Sequence, residues 1–274
     1  MNANATSNRE LWWSLRGGGN QFAIITKLTL QAHPAGVDGK IWGGIRSYSG
    51  SNRKALFAAI SNFVRDYPDA KAAVIPTFQF GLPANLLNAV GGPLFFFFYD
   101  GPKPPPGVFD EFDAIKSLSD STGTMSYYEL TQMAGGAAPF PGFGASFRED
   151  TYQNLPTPNM TDFYQIVWDK MNAESFKNSL RPLDVQIMGF DPQPVSVRIA
   201  RASNAQGENA LGLDPNHGDR IWIENNFLWL NSNCDEKCPG FSKSVSDDIK
   251  ATHKAKYGSV PPTNYKSGDV SVIK

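Results

Sequence analysis

The sequence predicts an α+β fold, and two observations carry that expectation. Stretches of strand character neighbour one another as well as alternating with helices, and no regular strand-helix repeat runs through the chain. That pattern suits a layered sheet with helices rather than a doubly wound parallel sheet. With 274 residues, 41% of them hydrophobic and 12% aromatic, the chain has ample material for a packed core.

Taken in order, Leu11, Trp12, Trp13 and Leu15 form a short helix that runs into the glycine turn Arg16 to Gly19. The alternating, β-branched run from Phe22 to Leu30 then reads as a strand. Ala35 to Gly39 breaks the pattern, which places a domain boundary near residue 35, and Trp42 to Tyr48 starts another strand. Between Ser51 and Tyr67, Leu56, Phe57, Ile60, Phe63 and Val64 keep a helical period, with Ser51 as N-cap and Pro68 as the stop. Ala73 to Phe80 and Leu94 to Tyr99 are strands, and Pro76 pushes the first toward an edge or a bulge.

After the proline loop ending at Pro106, Phe109, Phe112, Ile115 and Leu118 suggest a helix, and Tyr127 and Tyr128 a further strand. Residues 134–146, rich in Gly, Ala and Pro, read as a surface loop. A strong helix follows over about Thr161 to Leu180, then strands at Val185 to Phe190 and Ile221 to Leu230. A final helix carries Val245, Ile249 and Tyr257 and ends at Gly258.

Composition excludes some functions. Lys and Arg number 25 against 26 Asp and Glu with no basic cluster, so the footprint of a nucleic-acid or anionic-membrane protein is missing. The most apolar run, Leu94 to Tyr99, is far short of the ~20 residues of a membrane span. The N-terminus shows no signal-peptide pattern. Cys234 and Cys238, in what reads as a Pro/Gly-flanked loop, and the sequons at Asn4 and Asn159 nevertheless point toward an oxidising, secretory setting. The cysteines stand either as two free thiols or as a bridged pair, the latter being favoured.

The chemistry concentrates at the helix, Arg-Gly-Gly-Gly-Asn-Gln and strand of residues 11–30. Successive backbone N–H groups with no Cβ in front of them can cradle a pyrophosphate, and the same glycines can equally form a purely structural turn. The loop lacks the Lys-Ser/Thr of a P-loop and the strand-then-helix order of a dinucleotide fingerprint. No zinc spacing and no Gly-x-Ser-x-Gly elbow occurs, and Asp247 with Asp248 reads as a charged helix face. Phe95 to Phe98 suits buried sheet core better than a sugar-stacking surface.

Leu11 to Thr26 (LWWSLRGGGNQFAIIT) resembles the closing segment of the FAD domain in berberine-bridge-enzyme-like oxidoreductases, of PCMH type and vanillyl-alcohol-oxidase superfamily. Gln21 stands where that family commonly has Asn, and Ala23 where it has Gly. Trp42 to Tyr48, Phe98 to Pro102 and Asn209 to Leu213 resemble the substrate domain of its fungal branch.

The resemblance implies residues 1–35 as the C-terminal remnant of an FAD-binding domain. Residues 36–274 would be a substrate domain, a large mostly antiparallel sheet backed by helices, without its usual C-terminal end. It implies FAD held at Arg16, Gly17, Gly18, Gly19, Asn20, Gln21, Phe22 and Asn264, with Tyr265 either the catalytic base or a tyrosine in a frayed tail. The expected reaction is oxidation of an alcohol, sugar or other small molecule, with hydride passing to flavin and O2 taking the electrons. Secretion is the family's expectation too. The His and Cys that bond the flavin in that family lie upstream of the glycine segment. His33, His217 and His253 are read as structural or solvated.

Three functions are then open: an incomplete carrier of FAD-linked oxidation, inactive alone; a non-catalytic module binding a small molecule or partner; or a fragment with no independent role.

Overall fold

The computed structural model describes residues 1–18, 21–80, 92–134, 142–207, 209–230, 232–258 and 269–272. Helix α1 (Arg9–Gly18) precedes β1 (Lys40–Tyr48), α2 (Arg53–Asp66), β2 (Ala72–Phe80) and β3 (Gly92–Tyr99). A short α3 (Asp110–Asp113), β4 (Ser117–Asp120), β5 (Gly123–Ser126) and α4 (Tyr127–Ala134) follow. The second half holds β6 (Gly144–Gln153), α5 (Thr157–Asn172), α6 (Glu174–Leu180), β7 (Val185–Val195), α7 (Val197–Ala205), β8 (Arg220–Trp229), α8 (Asn233–Tyr257) and β9 (Asp269–Val272).

The strands form one nine-stranded sheet in the order β4-β1-β3-β2-β7-β8-β6-β9, with β5 also on β1. Neighbouring strands run antiparallel, as between β6 and β8 and between β7 and β8. The expected α+β class with a large antiparallel sheet holds.

Prolines shape the middle of that sheet. β2 and β7 pair only at Phe78↔Phe190, Gln79↔Gly189 and Phe80↔Met188. Beyond the Phe78↔Phe190 end of that short ladder stand Pro76 of β2 and Pro192 and Pro194 of β7, which have no N–H to donate. The two halves of the sheet are therefore joined by three register pairs, and they part at Thr77 and Asp191.

Strand alternation sorts the side chains. Phe78, Phe95, Phe97, Phe190, Ile221, Ile223, Phe227 and Trp229 are buried in the main core. Helices α2, α5 and α8 cover this face with Leu56, Phe57, Ile60, Phe163, Val167 and Ile249. His253 of α8 is fully buried there, its ring 4.8 Å from Phe163 and 5.0 Å from Tyr152. Among the described residues the opposite face carries only α4, on the β1 side, and α7, on the β7 and β8 side.

Several expectations are corrected. Phe22 to Leu30 forms no strand. Ile24 is 95% exposed and Leu30 78%, because a lone extended segment has no neighbour for its backbone groups. Tyr127 and Tyr128 open α4 instead of lying on a strand. Ser126 and Glu129 form a capping box, the Ser126 N–H reaching Glu129 Oε2 at 2.7 Å and the Glu129 N–H reaching Ser126 Oγ at 3.2 Å.

The helix expected over Phe109 to Leu118 is cut to α3, with Leu118 on β4 and exposed. Residue 144 already begins β6, while 135–141 of the expected loop lie outside the described residues. Ser49, rather than Ser51, accepts the capping hydrogen bond ahead of α2. Cys234 and Cys238 sit in the first turns of α8, not in a loop, where they are bonded to each other and buried.

Candidate active site

The glycine segment is built by the end of α1. Arg16 leaves helical geometry at φ −80°, ψ 89°, and Gly17 turns to φ 103°, a left-handed value that a side chain resists. A Cβ on Gly17 would also come within 2.6 Å of Leu211. Arg16 stacks on Trp12 at 3.7 Å and donates to the carbonyls of Gln206, at 3.0 Å, and Gly207. Its own carbonyl accepts from the Ala210 N–H at 2.9 Å.

Two segments that resemble the same family, 11–26 and 209–213, thus close on each other. The Arg16 side chain braces the loop, and Leu211 fills the space that a Cβ on Gly17 would take. At Gly18 a Cβ would stand 2.4 Å from the Phe22 ring, itself half exposed. Gln21 is exposed beside it. Gly19, Asn20, Asn264 and Tyr265 lie outside the described residues.

Leu211 leads from this loop to the sheet. It packs with Trp222 of β8 against Val195, Ala200 and Leu213. Two residues further along β8, on the same face as Trp222, stands Glu224.

Glu224 is the centre of a row of acids. Its register partners are Asp191 on β7 and Glu149 on β6. All three point to the face opposite α8, as Ile223 and Asn225 take the helix side, the latter bonded to Ser246 at 3.1 Å. Burial and the neighbouring Glu149 push the Glu224 carboxyl up to about 7. Burial raises Glu149 as well, while the hydrogen bond it shares with Glu224 lowers it, so Glu224 carries the proton of the pair. Burial, then the charge of Glu224, hold Asp191 well above the carboxylate range, and its Oδ2 accepts from Asn226 Nδ2 at 3.0 Å.

A carboxyl that exchanges its proton near neutrality, on the sheet face opposite the long helices, is equipped for general acid-base work. Among the described residues no group of three His, Cys, Asp or Glu side chains is placed to hold a metal ion.

Sequence reasoning missed this row. The signal lay in β8, where Ile221, Ile223 and Phe227 alternate with Trp222, Glu224 and Asn226. A carboxylate in the non-core phase of a central strand marks a used face. His217 lies in a surface turn 3.7 Å from Asp214, and Asp247 and Asp248 pair with Lys243 and Lys170 on the outside of α8.

No family model matches the chain. An uncharacterized FAD-linked oxidoreductase of Arthroderma benhamiae is 28% identical over 235 residues, covering 86% of this chain and 44% of that protein. The FAD-dependent monooxygenase FUP4 of Fusarium proliferatum is 26% identical, covering 98% of this chain and 52% of that protein. Among solved structures, 6-hydroxy-D-nicotine oxidase from Arthrobacter nicotinovorans superposes with TM-score 0.59 and 14% identity, over 97% of this chain and 54% of that one.

The chain thus spans about half the length of the relatives it matches. Its antiparallel sheet with helices on one face is the substrate-domain fold of FAD oxidases. The fungal sequence relatives are FAD-linked oxidoreductases and monooxygenases, so in sequence and in fold the chain is similar to half of such proteins. No helix among the described residues is long and apolar enough to cross a membrane.

Proposed function

We propose that this chain supplies the substrate side of an FAD-linked oxidoreductase, with Glu224 as the proton acceptor when a small molecule is oxidised. The observation that carries the reading is the Asp191, Glu224, Glu149 row on the sheet face opposite α2, α5 and α8. Residues 1–35 act as the margin of an FAD-binding domain and residues 36–274 as the substrate domain, and the chain by itself is inactive.

The bare main chain of Gly17 and Gly18 fits one wall of a pyrophosphate site, to which Gly19, Asn20, Gln21 and Phe22 would add. Asn264 and Tyr265 are proposed to approach the ring side. Bound FAD supplies a hydride acceptor, reoxidised by O2. Glu224 takes the proton that leaves the substrate's O–H or N–H as its C–H bond gives up the hydride pair. Glu149 then shares that proton across β6 and β8. Burial, then the charge of Glu224, disfavour the charged form of Asp191, which limits charge repulsion in the row when Glu224 ionises. The two cysteines and two sequons support a secreted setting.

The test is to supply the FAD-binding half of the Arthroderma benhamiae relative, covalently fused ahead of this chain, and follow flavin reduction without air across alcohols, sugars and amines. Glu224→Gln should keep the flavin yet slow its reduction by roughly 10²–10⁴-fold. Reduction at an unchanged rate in Glu224→Gln would remove Glu224 from the chemistry, and a fusion that holds flavin but reduces it with no compound would remove the oxidoreductase reading.

A further inference from the structure

The same sheet face carries a second feature. Ala73 and Ile75 of β2, Phe96 and Phe98 of β3, and Tyr127 and Leu130 of α4 line a cleft of about 310 Å³. Phe95, Phe97 and Tyr99 turn into the core, which leaves Phe96 and Phe98 on the opposite side of β3. The capping box at Ser126 starts α4 where Tyr127 meets Phe98 edge-on at 6.1 Å. Gly43 lets Leu130 settle against β1, since any Cβ there would come within 3.1 Å of it.

Among the described residues no charged side chain lines the cleft, and the Thr131 hydroxyl is already donated to the Tyr128 carbonyl at 2.7 Å. A sugar would bring several hydroxyls to a place with few partners, each costing roughly 1–3 kcal/mol if left unpaired. A flat apolar ring would bury its faces on Phe96 and Phe98 without that cost.

The cleft lies on the same sheet face as the acid row. Ile75 is two residues from Thr77, and Thr77 bonds Asp191, the register neighbour of Glu224. Two residues along a strand and two strands across place the cleft roughly 12 Å from Glu224.

Resting on the oxidoreductase reading above, we infer that the substrate is an elongated, largely apolar aromatic molecule rather than a sugar. Its ring system lies between Phe96, Phe98 and Tyr127, and its oxidisable carbon reaches toward Glu224.

The probe is 2-naphthol, titrated calorimetrically into the chain, with cellobiose as the sugar comparison. Saturable naphthol binding is expected, weakened about tenfold or more by Ile75→Lys and by Tyr127→Asp. Ile75 and Tyr127 are 46% and 52% exposed and lie on different elements, so either variant serves if the other loses its circular dichroism spectrum.

Naphthol binding unchanged in both variants would place the ring elsewhere, the bare Phe22 to Leu30 segment included, and overturn the inference. Cellobiose binding that is lost in Ile75→Lys would do the same, as would displacement of naphthol when the FAD-binding half is fused. None of these readouts needs turnover, so an inactive fusion would sink the oxidoreductase reading and leave the cleft standing.

Discussion

Replacing Glu224 by Gln should make the chain more stable at neutral and alkaline pH while removing the proposed base. The native carboxyl is raised from an ordinary 4.5 to about 7, chiefly by burial. At about 1.4 kcal/mol per pH unit that amounts to about 3 kcal/mol, which partial exposure at the bare face reduces to on the order of 2 kcal/mol. The sign follows from linkage. The folded state binds this proton more tightly than the unfolded chain, so the contribution is fully present below about pH 4.5 and disappears as pH rises through about 7. Glutamine keeps an N–H to donate to Glu149 and never ionises. Urea unfolding of parent and variant from about pH 4 to pH 9 should show the parent losing stability across that window and the variant losing much less. At about pH 8 the variant should melt roughly 4–8 °C higher. A variant with the parent's pH slope, or one less stable at about pH 8, would refute the account of the acid row.

Arg16→Ala should release the glycine loop from Gln206 and Gly207, and hydrogen exchange at the Ala210 amide should speed up while the β8 amides stay protected. Purified alone, the chain should carry no stoichiometric flavin absorbance, because three or four hydrogen bonds at roughly 1.5–3 kcal/mol each barely exceed a binding cost of about 4–15 kcal/mol. In secreted material, mass spectrometry after alkylation should find Cys234 and Cys238 unmodified, and two labelled thiols would argue against the bridge. In the fusion with an FAD-binding half, Gly18→Val should cost little stability, since the half-exposed Phe22 ring can move, yet flavin content should fall to background. Full flavin in that variant would detach the loop from the cofactor.

The core was legible where one physical signal dominated. The period of Leu56, Phe57, Ile60, Phe63 and Val64 and the stop at Pro68 located α2, and Gly258 closes α8 with its left-handed φ of 82°. Errors came where two signals competed. Tyr127 and Tyr128 favour strands by side-chain type, yet the Ser126–Glu129 capping box overrode them. Cys234, Cys238, Pro239 and Gly240 read as a loop, although α8 runs through them with Pro239 inside the helix. Phe22 to Leu30 has the right pattern for a strand, but pattern cannot supply a pairing partner.

The acid row was illegible for a different reason. Asp191, Glu224 and Glu149 stand far apart in sequence, and only the register of β7 on β8 and of β8 on β6 lines them up. The prolines bear on the other edge of β7. With Pro76, Pro192 and Pro194 withholding donors, the β2 and β7 ladder stops at Phe78↔Phe190, and Asp191 meets β2 through the Thr77 side chain. A continuous ladder there would bring a β2 strand alongside the whole of β7 and close the gap. The glycine loop, through Leu211 and Trp222, and the acid row lie on the side opposite the three long helices. The exposed apolar run Phe22 to Leu30 and the partly buried acids are both unfavourable in an isolated domain, the first by the hydrophobic area left in water and the second by the cost of holding protons near neutrality. A second domain laid over that side would remove both penalties together, and this is why the proposed FAD-binding half should raise stability as well as confer colour.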